Sequence, residues 1–221
     1  MSGWCLIDSP DSSTYNSVLY AYGKSGSTSL AHLVDTGVAD KIVSQFEHDC
    51  ASINAYTNAS PSDIIVFLRD PYSRFISGMF QCVSEMLCVA LPRNDVTLLN
   101  DILDEPLYWR DVTEQMFRVL GFDSGNPQLS DREAYHLGHY LEMFDHLKGD
   151  FVCKRTGDMT SVLTGLGIDN TTTHNQSIGK PLGEYYLMFS NAITDTASWP
   201  TVVEWLQPEV ARYTQLMMDH G

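Results

Sequence analysis

Positive charge is what this chain of 221 residues has least of: thirteen Lys and Arg stand against 28 Asp and Glu, a formal net charge of −15 at pH 7. That balance argues against a nucleic-acid or anionic-membrane partner, either of which selects a basic surface. Cysteine is scarce as well. The five thiols, Cys5, Cys50, Cys82, Cys88 and Cys153, are odd in number and contain no C-x-x-C pair, so the simplest expectation is reduced thiols in a cytoplasmic protein. No apolar run reaches the length of a membrane span, and the N-terminus lacks a basic stretch followed by a long apolar core, so a secretory signal is not expected. The sequons at Asn170 and Asn175 then read as chance matches. Scarcity of basic residues also gives weight to those that sit inside motifs.

One such motif is Tyr22-Gly23-Lys24-Ser25-Gly26-Ser27-Thr28-Ser29-Leu30, directly after the apolar run from Val18 to Tyr22. It reads as a strand, a glycine-bearing turn and a helix start rich in hydroxyls. Unpaired N–H groups and the positive end of the helix dipole make such a turn an anion cradle, and Lys24 adds a point charge. It is not a Walker A loop. That motif needs a glycine five residues before Gly23, and Val18 stands there, inside the strand.

The remaining pattern alternates strands and helices. Ile42 to Phe46 reads as a short strand, Ile64 to Leu68 as a buried one and Phe151 to Lys154 as another. Thr28 to Thr36 reads as a helix closed by Gly37. A long helix follows Asp70-Pro71, with Asp70 as its cap, Pro71 at its first position and apolar residues from Tyr72 to Leu87 at helical spacing. Further helices are expected near 95–104, 111–120, 131–148 and 159–166, and over 201–219 with an interruption at Pro208. The expected architecture is a single α/β domain over 1–221. It has three layers in a P-loop-like arrangement, a central parallel sheet flanked by helices, and a helical insertion at 92–150.

A second basic motif, Leu68-Arg69-Asp70-Pro71-Tyr72-Ser73-Arg74-Phe75-Ile76-Ser77-Gly78, straddles a strand end and a helix start. Arg69 falls at the sheet edge where α/β proteins bind ligands, and Arg74 and Ser77, three apart, share a helix face. Guanidinium, hydroxyl and helix start make a second anion site, unless Arg69 and Arg74 pair with acids such as Asp70. Two anion sites at neighbouring strand ends suggest a ligand phosphorylated at two separated positions.

The pair YGKSGSTSL and FLRDPYSRFISG resembles the two signature loops of sulfotransferases that use 3′-phosphoadenosine 5′-phosphosulfate (PAPS). The likeness is closest to the carbohydrate-type branch, whose loops often read K-[TSA]-[AG]-S-T-S and R-D-P-x-x-R-x-x-S. The resemblance implies that Lys24, Ser25, Gly26, Ser27, Thr28 and Ser29 hold the 5′-phosphosulfate, and that Arg69 and Ser77 hold the 3′-phosphate. FVCKRTGDMTSVLTGLGI is similar to the late strand and helix of that family, though Thr156-Gly157-Asp158 departs from the glutamate many relatives carry. His174 to Lys180 resembles a cofactor-covering loop, with Lys180 a candidate for the nucleotide. The likeness is thin over 92–150.

The implied activity is transfer of a sulfuryl group to a hydroxyl acceptor, releasing 3′,5′-bisphosphoadenosine and using no metal. Such chemistry needs positioning, charge stabilisation at the leaving phosphate and a base for the acceptor. Lys24 suits the leaving oxygen. Unless neither serves, the base is expected in Glu47-His48-Asp49, placed just after the second strand and beside the first loop in a parallel sheet. His48 has an unperturbed pKa near neutrality, and Glu47 is its rival. His139, Glu142 and His146 share a face if 131–148 is one helix, yet no cysteine or aspartate completes a metal set, so an acceptor-lining or solvated face is the preferred reading. Two other readings stay open: a P-loop kinase or nucleotide hydrolase, disfavoured by the missing Walker glycine, and a nucleotide-binding protein without chemistry.

Overall fold

The computed structural model describes residues 2–8, 16–22, 24–26, 29–30, 41–45, 64–90, 101–166, 168 and 182–221; for 2–8, 16–17, 41–45 and 89–90 the backbone alone is described. The protein is α/β. Strands β1 (Ser2–Asp8), β2 (Asn16–Ala21), β3 (Lys41–Gln45), β4 (Ile64–Leu68) and β5 (Phe151–Arg155) form one five-stranded sheet in the order β3-β1-β2-β4-β5. β2, β4 and β5 run parallel, with Val18 opposite Ile64 and Ile64 opposite Phe151.

The expected parallel sheet is therefore present as a three-stranded half. The other half is antiparallel, because β1 pairs antiparallel with both β2 and β3. That strand was missing from the sequence reading, and it moves β3 one place away from β2. The register still aligns the ends: Ala21 of β2 and Ser44 of β3 both stand opposite Gly3 of β1. The carboxyl ends of β2 and β3 thus share a sheet edge, about 9–10 Å apart at two interstrand spacings.

The chain divides into two compact units, one of residues 1–71, 139–174 and 209–221, the other of 72–138 and 175–208. The first holds the sheet. Leu19, Ala21 and Phe67 point to one face, where Leu30, Met159 and Leu163 cover them. Tyr20 and Tyr22 point the other way and meet Phe144 and Tyr140. Burial on both faces explains why β2 and β4 read as unbroken apolar runs. Helix α4 (Met159–Gly165) follows β5, and α7 (Gln207–His220) supplies Glu209, whose buried carboxylate accepts the N–H groups of Tyr140 (2.9 Å) and Leu141 (3.1 Å). Those are the orphan donors at the start of a short 3-10 segment, Leu141–His146.

The second unit is helical and aromatic. It contains α1 (Pro71–Ala90, from Tyr72 onward), α2 (Pro106–Leu120), α3 (Asp131–Leu137), α5 (Tyr186–Thr194) and α6 (Trp199–Trp205). Phe75, Phe80, Trp109, Phe117, Phe122 and Phe189 anchor its core. α3 starts on a capping box, Ser130 with Glu133, and ends at Gly138 in an extended conformation. The single helix expected over 131–148 is thus two pieces, so His139, Glu142 and His146 do not share one helical face. α1 approaches α3 closely at Gly78, where an added Cβ would lie 3.0 Å from the His136 carbonyl carbon and nearer still to its oxygen. Only glycine admits the two backbones at that separation.

Candidate functional site

The site is built at the carboxyl edge of the three parallel strands, entirely within the first unit. β2 runs out at Ala21, and the Ser25 N–H donates to the Tyr22 carbonyl at 2.9 Å, closing a tight turn. Lys24 occupies its third position with φ +67°, a left-handed conformation uncommon outside glycine and costing on the order of 1–3 kcal/mol. Such a conformation persists only where neighbours fix it. Two do. The Arg69 guanidinium, one residue beyond β4, donates Nη1 to the Lys24 carbonyl at 3.1 Å. The Thr156 hydroxyl, one residue beyond β5, is shared between the carbonyls of Ser25 and Leu68, both at 3.1 Å.

Gly26 follows at φ +105°, and its carbonyl accepts from Ser29 N–H at 2.9 Å and Leu30 N–H at 3.1 Å. It is therefore the cap from which the next helix begins. Its missing side chain matters: a Cβ would stand 2.5 Å from Met159 Cε. Ser25 is fully buried, with its Oγ 3.4 Å from the Tyr140 hydroxyl, and Lys24 is 8% exposed. The loop is thus a packed part of the fold.

The charges around this edge are mixed. On α7 the Tyr213 phenol is pushed up, chiefly by burial, with Asp70 and Asp158 adding to the rise and Arg155 opposing it. Acids from the β4 and β5 loops therefore lie within electrostatic reach of the same edge as Lys24 and Arg69. Among the described residues, no three His, Cys, Asp or Glu stand together as a metal site.

Of the residues singled out in the sequence, the structure brings together Lys24, Ser25, Gly26 and Arg69, with Ser29 in the first helical turn. Gly23, Ser27, Thr28, Glu47, His48 and Lys180 lie outside the described residues. Arg69 gives Nη1 to the Lys24 carbonyl, a use the sequence did not foreshadow. Arg74 and Ser77 are buried on α1 in the second unit. Arg74 gives Nη1 to Gly138 O and Nη2 to Tyr135 O, each at 3.0 Å. Its charge caps the carbonyl end of α3, where the helix dipole is negative.

Sequence reasoning did not foresee the contacts of Thr156 and Tyr140 with the loop. Thr156 was findable, since it directly follows a strand that ends at the ligand-binding edge. Tyr140 had no local signal; only the fold carries it to Ser25.

No protein-family model matches this chain, and neither the curated proteins nor the solved structures contain a match. The functional reading therefore rests on the site. Among the described residues no helix is long and apolar enough to cross a membrane.

What this edge can do follows from its donors. A strained turn, a helix cap and two basic side chains offer backbone N–H groups and positive charge to a small anion in an otherwise acidic protein.

Proposed function

We propose that the chain is a sulfotransferase that takes the sulfuryl group from PAPS to a hydroxyl acceptor, a carbohydrate or a small molecule, and releases 3′,5′-bisphosphoadenosine. The observation that carries this reading is the coupling of the two motif loops: Arg69 of the second bonds the Lys24 carbonyl of the first at 3.1 Å. A common nucleotide would engage both loops if one held its 5′ end and the other its 3′ end. The three-layer, P-loop-like arrangement belongs to the same proposal; β2 and β4 are parallel neighbours whose outgoing connections run to opposite sides, to β3 and to β5, which supports a ligand site between their ends.

In this reading the turn from Lys24 to Gly26 and the first turn of the following helix receive the 5′-phosphosulfate. The Lys24 ammonium neutralises charge on the leaving oxygen, and Arg69 binds the 3′-phosphate. The base for the acceptor hydroxyl is His48 or Glu47, which follow a strand end at the same sheet edge as the loop, with β1 between. Arg74 drops out of the binding set, because its guanidinium supports the backbone of α3.

The deciding measurement is thermal stabilisation by 3′,5′-bisphosphoadenosine against ATP with magnesium. The bisphosphate should raise Tm and ATP-magnesium should not; a rise with ATP-magnesium alone would sink the proposal.

A further inference from the structure

The three strand-end loops are joined through carbonyl oxygens. Arg69 takes the carbonyl of Lys24, and Thr156 takes those of Ser25 and Leu68. A trans peptide points its N–H opposite to its C=O, and no peptide bond among the described residues is cis. With the Ser25 carbonyl turned to Thr156, the N–H of Gly26 points the other way. The Ser25 N–H is already used by Tyr22. Gly26 serves twice as acceptor, and none of the hydrogen bonds among the described residues uses its N–H.

We propose that Thr156 is a positioning residue: by holding the Ser25 carbonyl against the end of β4, it aims the Gly26 N–H at the 5′ phosphosulfate group. This rests on the sulfotransferase reading above and adds to it a residue with no charge and no contact to the donor. A methyl in place of the hydroxyl would leave two carbonyls without that donor and let the Ser25–Gly26 peptide rotate. A lysine or arginine at this place could bind phosphate itself. The Thr156 hydroxyl is committed to carbonyls and orients the loop that does.

The test compares Thr156→Val, which keeps the shape and removes the hydroxyl, with Thr156→Ser, which restores it. Binding of 3′,5′-bisphosphoadenosine and of adenosine 3′-phosphate, which lacks the 5′ group, is measured by calorimetry on each. The valine variant should bind the bisphosphate about tenfold more weakly, as one lost hydrogen bond of average strength or slightly more implies. It should bind the 3′-phosphate within about twofold of the parent, and the serine variant should recover the bisphosphate affinity. A general loss of structure would weaken both ligands together. Equal bisphosphate affinity in parent and Thr156→Val overturns the proposal, as does failure of serine to rescue. If the valine variant does not fold, Thr156→Cys, with a poorer donor, replaces it under the same criteria. A parent chain that binds neither nucleotide overturns the sulfotransferase reading itself and this role with it, a result distinguishable from loss in the variant alone.

Discussion

Tyr140 lies flat on Tyr22, with ring centroids 4.2 Å apart and planes 13° from parallel, and its hydroxyl reaches within 3.4 Å of Ser25 Oγ. The stack fastens the segment after α3 onto the end of β2, at the residue where the phosphate-type turn begins. Removing the hydroxyl and removing the ring should therefore differ. Tyr140→Phe keeps the stack and should cost no more than about 1 kcal/mol, since it loses one long hydrogen bond. Tyr140→Ala opens a cavity beside Tyr22 and should cost about 3–5 kcal/mol, in the range for a buried aromatic. Urea unfolding of the two variants separates these outcomes.

Lys24 combines a left-handed backbone with a charge, and the two can be separated. Asparagine tolerates that conformation better than most residues. Lys24→Asn should remain folded, within about 1 kcal/mol of the parent. Its affinity for 3′,5′-bisphosphoadenosine should fall by about tenfold or more, the loss of a charge-assisted contact. Circular dichroism on melting gives the first quantity and calorimetry the second; an unchanged affinity would remove Lys24 from the site.

Arg74 was expected at a phosphate and is instead fastened to Tyr135 and Gly138 through two separate nitrogens. Lysine carries the same charge but lacks the planar fork. Arg74→Lys should lower stability by roughly 1.5–3 kcal/mol, the scale of hydrogen bonds to a charged group. Ligand affinity should barely move. The reverse pattern, full stability with lost binding, would return Arg74 to the anion site.

Cys153, buried in β5, has its thiol pushed up to about 12, mainly by burial, with Lys154 and Arg212 pulling the other way. The unfolded thiol ionises near 9.0. Between those values the unfolded chain has lost a proton the folded chain keeps, so stability falls as pH rises from about 9 to 12. Cys153→Ala should flatten that decline in a pH series of unfolding curves. At pH 8, iodoacetamide should label the exposed Cys88 and spare Cys153, which peptide mass spectrometry reads directly.

Strong local patterns carried well into the fold. Ile64 to Leu68 forms the strand its β-branched run demands, and Pro71 opens a helix because its ring already has helical φ and its missing N–H is not needed there. The interruption expected at Pro208 falls at Leu206, between α6 and α7, and Pro208 sits in the first turn of α7, where its missing N–H is not needed. β1 was not legible. Its apolar centre, Trp4 to Ile7, is only four residues long, and its place between β2 and β3 is a pairing choice no local signal encodes. The helix over 131–148 was read as continuous because periodicity passes through Gly138; the chain instead turns extended there, and Arg74 takes up the freed carbonyls.

By itself the sequence determined the α/β class, the position of the non-Walker turn from Tyr22 to Leu30, and the presence of a second basic motif after β4. These follow from hydrophobic period, glycine and the scarcity of positive charge. The tertiary structure alone decided which basic side chain meets the turn. Arg69 and Arg74 are five residues apart in one motif, yet the first closes on Lys24 and the second on α3. That division depends on which carbonyls folding leaves without donors, and Thr156, just past the end of β5, answers two of them.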